Sequence, residues 1–308
     1  MRRSWWVSTV FVTFLAVAVF AARPQGLQSE PVATFVGSEK CKDCHESEYK
    51  EFAAGAHGQA AGDSVLIGQS VNCETCHGPG SRHVEADGDT EKPGFWDVRN
   101  FKKMTVAEIN GTCRTCHRAG EQLHWDNSMH AREDLACTTC HSMHHPQDNS
   151  KQAMLNNANT TELCLSCHRN KRLGVTRSSH MPLTEGGMNC ADCHNPHGSS
   201  SDHMIRFAST NELCESCHTD KRGPFLWEHA PVRENCLNCH EPHGSNNDKL
   251  LASKKPYLCQ RCHVGTRHPS TLYDNPDLAS NRLFNRSCTN CHSQIHGSNH
   301  PSGQFFLR

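Results

Sequence analysis

The chain contains ten copies of the pattern Cys-x-x-Cys-His, and these copies use all 20 of its cysteines. The cysteines are Cys41 and Cys44, Cys73 and Cys76, Cys113 and Cys116, Cys137 and Cys140, Cys164 and Cys167, Cys190 and Cys193, Cys214 and Cys217, Cys236 and Cys239, Cys259 and Cys262, and Cys288 and Cys291. This spacing is the attachment signature of c-type haem, in which two thiols bind the vinyl groups and the adjacent histidine binds the iron. Ten matches without a leftover cysteine predict ten covalently attached haem c groups.

Three other uses of paired cysteines explain the pattern less well. A disulfide framework suits an exported protein, but it gives no reason for a histidine after every second cysteine. Structural zinc sites use paired cysteine motifs or well-separated cysteines and histidines, and a thioredoxin-like redox motif is expected once, in a βαβ unit. The strict histidine therefore favours haem attachment over all three alternatives.

Apolar side chains are scarce for a chain of 308 residues. Hydrophobic residues make up 35% of the sequence and aromatic residues 6%, and the mean hydropathy is -0.68. Because a chain of this length must bury most of its surface on folding, we expect haem groups to fill much of the interior. The predicted fold is that of a multihaem cytochrome c, mostly irregular, with short α-helices around an extended chain of ten haems and little or no β-structure. The net charge of -1 gives no basic footprint for nucleic acid.

The 24 histidines divide into proximal, regularly placed and surplus groups. The proximal histidines, which complete the motifs, are His45, His77, His117, His141, His168, His194, His218, His240, His263 and His292. When the motifs are taken in consecutive pairs, each pair has one further histidine between its motifs and one after its second motif. The between-motif histidines are His57, His130, His180, His229 and His268, and the following histidines are His83, His144, His197, His243 and His296. These ten supply a sixth ligand for every iron and leave His124, His145, His203 and His300 as surplus.

Geometry limits which iron each spare histidine can bind. A side chain three residues after a proximal histidine, as at His197 and His243, stays on the same side of its own haem. We therefore expect these histidines to bind a neighbouring haem and so to fix adjacent haems together. The alternatives that stay open are His145 for His144, His124 for His130, and Met129, Met181 or Met188 in place of a histidine. His268 departs from the pattern because it lies close behind its proximal histidine.

The paired motifs form internal repeats. Residues 161–168 resemble residues 211–218, and residues 189–199 resemble residues 235–245. We predict five two-haem modules at about residues 35–112, 113–158, 159–208, 209–253 and 254–308. Thr105, Asn159 and Ser209 are each followed three residues later by Glu, a pattern that predicts capped helix starts. Pro-His-Gly or His-Gly sequences after most second motifs predict turns that end the helices.

The N-terminus has the features of an export signal. Arg2 and Arg3 precede an apolar run at residues 7–20, which is followed by Ala21 and Ala22. We interpret residues 1–22 as a signal peptide and residues 23–308 as the decahaem cytochrome domain. The alternative is a membrane anchor, although a spanning helix needs about 20 apolar residues.

Several phrases resemble the periplasmic decahaem cytochromes of the MtrA/DmsE type. They are residues 36–45, which run from Val-Gly-Ser-Glu-Lys into the first motif, residues 73–81, residues 221–232 and residues 241–246. The resemblance covers about residues 35–300 and implies ten haems with two histidine ligands each, supplied by the proximal and regularly placed histidines. It also implies insertion into an outer-membrane β-barrel porin, and electron exchange between a periplasmic donor and an extracellular cytochrome or acceptor. The implied location is the periplasm, in association with the outer membrane.

Other function classes compete with this interpretation. A multihaem reductase would need an iron with an open position, whereas two histidines per iron leave none, so we expect no catalytic residue. A cytochrome filament would place haem contacts between protomers, and a free periplasmic electron shuttle would need no porin. We therefore predict electron transfer through the porin-bound cytochrome and keep the shuttle as the principal alternative.

Overall fold

The computed structural model describes residues 31–63, 71–147, 153–264, 287–301 and 303–307. The predicted signal peptide and His268 lie outside these ranges. The described residues contain short helices only, and the longest α-helices have nine residues. The α-helices are α1 (Ser38–Lys42), α2 (Glu46–Ala54), α3 (Ala56–Asp63), α4 (Cys73–His77), α5 (Ser81–Ala86), α6 (Val106–Arg114), α7 (Met129–Arg132), α8 (Cys137–Cys140), α9 (Thr160–Cys167), α10 (Arg169–Val175), α11 (Cys190–Cys193), α12 (Thr210–Glu215), α13 (Ala230–Glu234) and α14 (Tyr257–Gln260).

Single turns of 3-10 helix connect several of these elements. They are Gly120–Gln122, Trp125–Asn127, Asp202–Met204, Thr219–Lys221, Cys236–Asn238, Asp248–Leu250, Cys288–Asn290 and Gly303–Phe305. Within the described ranges there is no β-strand, only isolated bridges between single residues. The predicted fold, mostly irregular with short helices and little or no β-structure, is confirmed. None of the described helices is both long enough and apolar enough to cross a membrane.

The predicted helix starts occur where the sequence placed them. Thr105 caps α6 in a complete capping box, because its side chain accepts from the Glu108 N–H and the Glu108 carboxylate accepts from the Thr105 N–H. Asn159 caps α9 and Ser209 caps α12, each by accepting the backbone N–H three residues later. These caps satisfy N–H groups that a short helix leaves unpaired.

Apolar side chains form almost no core of their own. The buried apolar residues in the described part of the chain are Ala86, Ile109, Trp125, Met154, Leu165 and Val175. No large side chain there is fully buried, and large apolar residues such as Phe35 and Leu173 are 70% and 74% exposed. The described side chains therefore supply little of the apolar interior that a chain of this length needs, as the composition predicts.

A buried carboxylate organises the first module. Glu74 in α4 is 3% exposed and accepts hydrogen bonds from the backbone N–H groups of Val36, Gly37 and Gly80. These bonds join the segment before α1 to the start of α5. One side chain inside a Cys-x-x-Cys-His motif thus joins three parts of the chain.

Consecutive modules meet at repeated backbone junctions. Ser179 and Ser245 exchange two backbone hydrogen bonds of 3.0 and 2.8 Å, and Trp227 and Ser298 exchange two of 2.9 and 3.0 Å. Beside the first junction, Gly244 has a φ of +116°, and a Cβ on it would overlap the carbonyl group of Gly174. The turn after a second motif therefore packs against the preceding module.

Candidate functional site: a series of histidine pairs

The structure places the rings of eight proximal histidines opposite the rings of eight regularly placed histidines. In every pair the ring centroids are 5.9 to 6.3 Å apart. The pairs are His45 with His83, His117 with His57, His77 with His144, His168 with His130, His141 with His197, His194 with His243, His263 with His229, and His240 with His296.

This separation fits one iron between two imidazole rings. A bond from a metal ion to an imidazole nitrogen is about 2.0–2.1 Å long. With about 1 Å more from that nitrogen to the ring centre on each side, two rings on one metal lie about 6 Å apart. No group of three or more His, Cys, Asp or Glu side chains in the described residues is arranged to hold a metal ion. Two protein ligands per site suit a metal whose other ligands come from a macrocycle, as in haem.

Most of the pairs join different modules. The between-motif histidine of one module faces the first proximal histidine of the next, as His57 faces His117. The histidine after a second motif faces the second proximal histidine of the preceding module, as His243 faces His194. The first module differs, since His83 faces His45 within it. The expectation that His197 and His243 reach a neighbouring haem agrees with this placement.

The geometry separates the alternatives that sequence reasoning left open. His144 lies opposite His77, whereas His145 lies beside His144. His130 lies opposite His168, and the surplus His124 has no ring stacked on it among the described residues. Ligation by these side chains stays a prediction.

His180 is placed differently from the repeating pattern. Its ring donates locally from both nitrogens, with Nδ1–H bound to the Arg177 carbonyl oxygen and Nε2–H to the Glu185 carboxylate at 3.0 Å. The pattern would place it opposite His218, and no ring contact joins the two within the described structure. His268, the remaining candidate for His292, lies outside the described residues. The ligation of His180 and His268 remains a prediction from the sequence.

The cysteines show how the motifs follow one another. Within each module the first cysteines of the two motifs are neighbours, and together with burial the second raises the pKa of the first: Cys73 that of Cys41, Cys137 that of Cys113, Cys190 that of Cys164, Cys236 that of Cys214, and Cys288 that of Cys259. Between modules the second cysteines are also neighbours, and burial together with the second cysteine of the next module raises the pKa of the earlier one: Cys76 beside Cys116, Cys140 beside Cys167, Cys193 beside Cys217, and Cys239 beside Cys262. The ten motifs therefore lie in space in the same order as in the sequence.

Burial sets the protonation of these groups. It lowers the pKa of His197 to about 4, and it also lowers the pKa of His57, His144, His229, His243 and His296. Neutral imidazole is the form that binds a metal, so burial prepares these rings for ligation. Burial also raises the pKa of Cys41 to about 11 and that of Cys214 to about 12, which keeps both thiols protonated. No disulfide joins any of the 20 cysteines, all of which lie in described residues.

Sequence reasoning missed the groups that hold the rings of two of the regularly placed histidines. The Nδ1 atoms of His83 and His130 bind the backbone carbonyl groups of Phe95 and Pro196. These partners are 12 and 66 residues away in the chain. Because any residue can supply a carbonyl group, no residue type in the sequence marks these positions.

Comparison with known proteins also indicates a multihaem c-type cytochrome. A family model described as a doubled CXXCH motif matches residues 129–173, 180–223 and 229–268. The chain is 41% identical over 283 residues to the multiheme cytochrome MtrA of Shewanella baltica (strain OS185), which covers 88% of this chain and 81% of that protein. It is 33% identical over 141 residues to the cytochrome c-type protein NrfB of Escherichia coli O6:H1, which covers 43% of this chain and 65% of that protein. The chain therefore belongs to the MtrA family of multihaem c-type cytochromes, proteins that bind haem c covalently and transfer electrons.

Proposed function

We propose that this chain carries electrons between the periplasm and the cell exterior through ten haem c groups, as the cytochrome inside an outer-membrane porin. The observation that carries the proposal is the unbroken succession of the ten motifs. Each motif neighbours the next through its cysteines, and histidine pairs cross from module to module. A succession of this kind suits conduction from one end of the molecule to the other.

The residues of the chain have three tasks in this function. Haem iron, when bound, supplies the reversible one-electron change between ferric and ferrous states. The cysteines would hold each haem in place, a histidine pair would supply two protein ligands to its iron, and the junctions between modules keep neighbouring motifs in contact. An iron held by two histidines would offer no position for a substrate, which favours electron transfer over catalysis.

The ligation can be tested without any partner protein. In the oxidised holoprotein we expect electron paramagnetic resonance to show low-spin iron only, because ten proximal and ten regularly placed histidines are present. Carbon monoxide and cyanide should bind only after unfolding. A substantial high-spin signal, or tight binding of either ligand by the folded protein, would favour a multihaem reductase.

The porin partner is proposed from the membership of the MtrA family and from the polar character of the chain. Charged residues make up 20% of the sequence. A membrane with its headgroups is about 40–45 Å thick, and polar protein at that depth is tolerated where it is enclosed by protein. Barrels of about 22 strands are wide enough to hold a plug. Residues 1–22 would direct export to the periplasm, where such a complex assembles.

A reconstituted membrane tests the conduit. A redox dye enclosed in liposomes should be reduced by an external donor only when both the cytochrome and its porin are present in the membrane. Liposomes with either protein alone are the controls. If the purified cytochrome stays monomeric, binds no barrel protein, and its deletion leaves extracellular electron transfer intact, the protein is a free periplasmic shuttle.

A further inference from the structure

The proximal histidines of the second motifs share a backbone contact. In all five modules Nδ1–H of this histidine donates a hydrogen bond of 2.6 to 2.9 Å to a backbone carbonyl oxygen. The bonds run from His77 to Arg99, from His141 to Ala153, from His194 to His203, from His240 to Lys249, and from His292 to Phe305. Because a carbonyl oxygen only accepts, these bonds fix the ring proton on Nδ1 and direct Nε2 towards the metal position.

The proximal histidines of the first motifs are placed differently. They are His45, His117, His168, His218 and His263, and all five are exposed. Within the described residues none of them donates Nδ1–H to a backbone carbonyl. The contact is therefore a property of the second motif and of the chain that follows it.

Four of the five carbonyl groups belong to return segments, which we define as residues 153–155, 203–205, 249–251 and 305–307. The middle residue of each is left-handed without being glycine: Met154, Met204, Leu250 and Phe306 have φ values of 52°, 55°, 58° and 52°. Left-handed backbone is sterically disfavoured for a non-glycine residue, because its Cβ approaches the following carbonyl oxygen. Its recurrence at four equivalent positions indicates that the surrounding structure maintains it for a purpose.

Left-handed backbone at the middle residue and, in the third and fourth modules, at the residue before it lets two successive carbonyl groups contact the motif. In the fourth module, the Lys249 carbonyl accepts from the His240 ring, and the Leu250 carbonyl accepts from the Glu241 N–H at 2.7 Å. In the third module, the Met204 carbonyl likewise accepts from the Asn195 N–H at 2.8 Å. Successive carbonyl groups of an extended segment point to opposite sides, so an extended return segment would lose one of the two bonds.

We propose that Met154, Met204, Leu250 and Phe306 are positioning residues that lower the reduction potential of the second haem in modules two to five. This inference rests on the proposed binding of haem by the second-motif histidines. A hydrogen bond donated from Nδ1 makes the ligating Nε2 more basic, and a more basic ligand stabilises ferric over ferrous iron. The return segments maintain this hydrogen bond through their backbone conformation. The side chain at the left-handed position therefore affects the reduction potential only by how readily it allows a positive φ.

A matched pair of variants separates conformation from side-chain loss. Met204→Val with Leu250→Val removes both long side chains and adds β-branching, which disfavours left-handed backbone. Met204→Gly with Leu250→Gly removes the same side chains but permits positive φ. In potentiometric titrations of the intact holoprotein, we expect the valine pair to move two haems to higher potential and the glycine pair to retain the wild-type curve.

Two further measurements distinguish a failure of the proposed function from a failure of this inference. Intact mass and electron paramagnetic resonance of the wild type establish haem loading and bis-histidine ligation; their failure would contradict the proposed function itself. If both hold and the valine and glycine pairs titrate alike, only the role of the return segments is wrong. Should the valine pair fail to load haem, Leu250→Val alone is compared with Leu250→Gly by deuterium exchange at Nδ1 of His240. Faster exchange in Leu250→Val supports the proposal, and equal exchange contradicts it.

Discussion

Histidines in this chain act through two different groups, the imidazole ring and the backbone carbonyl. His197 lies with its ring 5.9 Å from that of His141, in the position of a second axial ligand. His203, only a few residues later, contributes its carbonyl oxygen to the His194 ring, with a left-handed φ of 56°. The two histidines are similar in sequence context, and only their placement distinguishes a ligand from a backbone support.

Alanine substitutions at these two positions should therefore differ. His197→Ala removes a ligand opposite His141, and we expect one five-coordinate, high-spin haem that binds carbon monoxide. His203→Ala keeps the carbonyl group and should leave the low-spin spectrum unchanged. Electron paramagnetic resonance of the oxidised proteins is the measurement, and the reverse result would overturn the assignment of ligands to modules.

His180 offers a sharper case, because its ring is bound to Glu185 at 3.0 Å. The repeating pattern assigns it to the iron on His218, and an imidazole that binds iron through Nε2 has no room for the carboxylate there. We expect His180→Ala to produce one high-spin haem and Glu185→Ala to produce none. A low-spin spectrum in both variants would show that another side chain binds the seventh haem.

Sequence reasoning named candidate ligands but did not pair them. Motif spacing and the regular second histidines pointed to the rings that the structure places together, including His57, His130 and His229. The sequence did not show that His57 faces His117 of the next module, because this pairing depends on the path of the chain between the motifs. The choice between His144 and His145 likewise depended on orientation, which adjacent positions do not encode.

Among the structural elements, α4 combines haem attachment with assembly of the first module. The Glu74 carboxylate accepts three backbone N–H groups while 3% exposed. In Glu74→Gln, an NH2 group that cannot accept a hydrogen bond replaces one carboxylate oxygen. A buried backbone N–H then loses its partner, which should lower the free energy of unfolding by about 1–3 kcal/mol. Glu85→Gln, at an exposed position of α5, should change the free energy of unfolding by less than about 0.5 kcal/mol. Equal effects in denaturant titrations would contradict the role of Glu74.

The junctions between modules depend on the turns that follow the second motifs. Gly244→Ala combines a φ of +116° with an overlap between the new Cβ and Gly174, so we expect a loss of about 1–3 kcal/mol and a displaced His243. Gly111→Ala is the control, because Gly111 lies inside α6 with open space around it and should gain about 1 kcal/mol. Denaturant unfolding, followed at the haem absorbance, distinguishes the two. A Gly244→Ala protein as stable as the wild type would show that the junction is not required.

Helix starts were predictable and the return segments were not. Thr105, Asn159 and Ser209 cap helices because their side chains bond to backbone N–H groups three residues later, a local interaction that a sequence pattern records. Met204 and Leu250 adopt left-handed backbone because of contacts with a motif earlier in the chain. Nothing local favours that conformation for Met or Leu.

Across the whole molecule, the weakness of the apolar core is explained by the cofactors. Because only six apolar residues are buried in the described part of the chain, we expect the haem groups to bury much of the remaining surface and folding to depend on haem attachment. Two ways of grouping the motifs also coexist. The doubled-motif matches combine the second motif of one predicted module with the first motif of the next, and cysteine contacts occur both within modules and between them. Because neighbouring motifs contact each other all along the series, the ten motifs can be divided into pairs in either way.

The intact mass of the exported protein tests this continuity most directly. All ten motifs are complete, and each lies beside the next, so we expect the mass of the mature chain plus ten covalently attached haems. A consistent mass of the chain plus eight haems or fewer would contradict a continuous ten-haem path through the molecule.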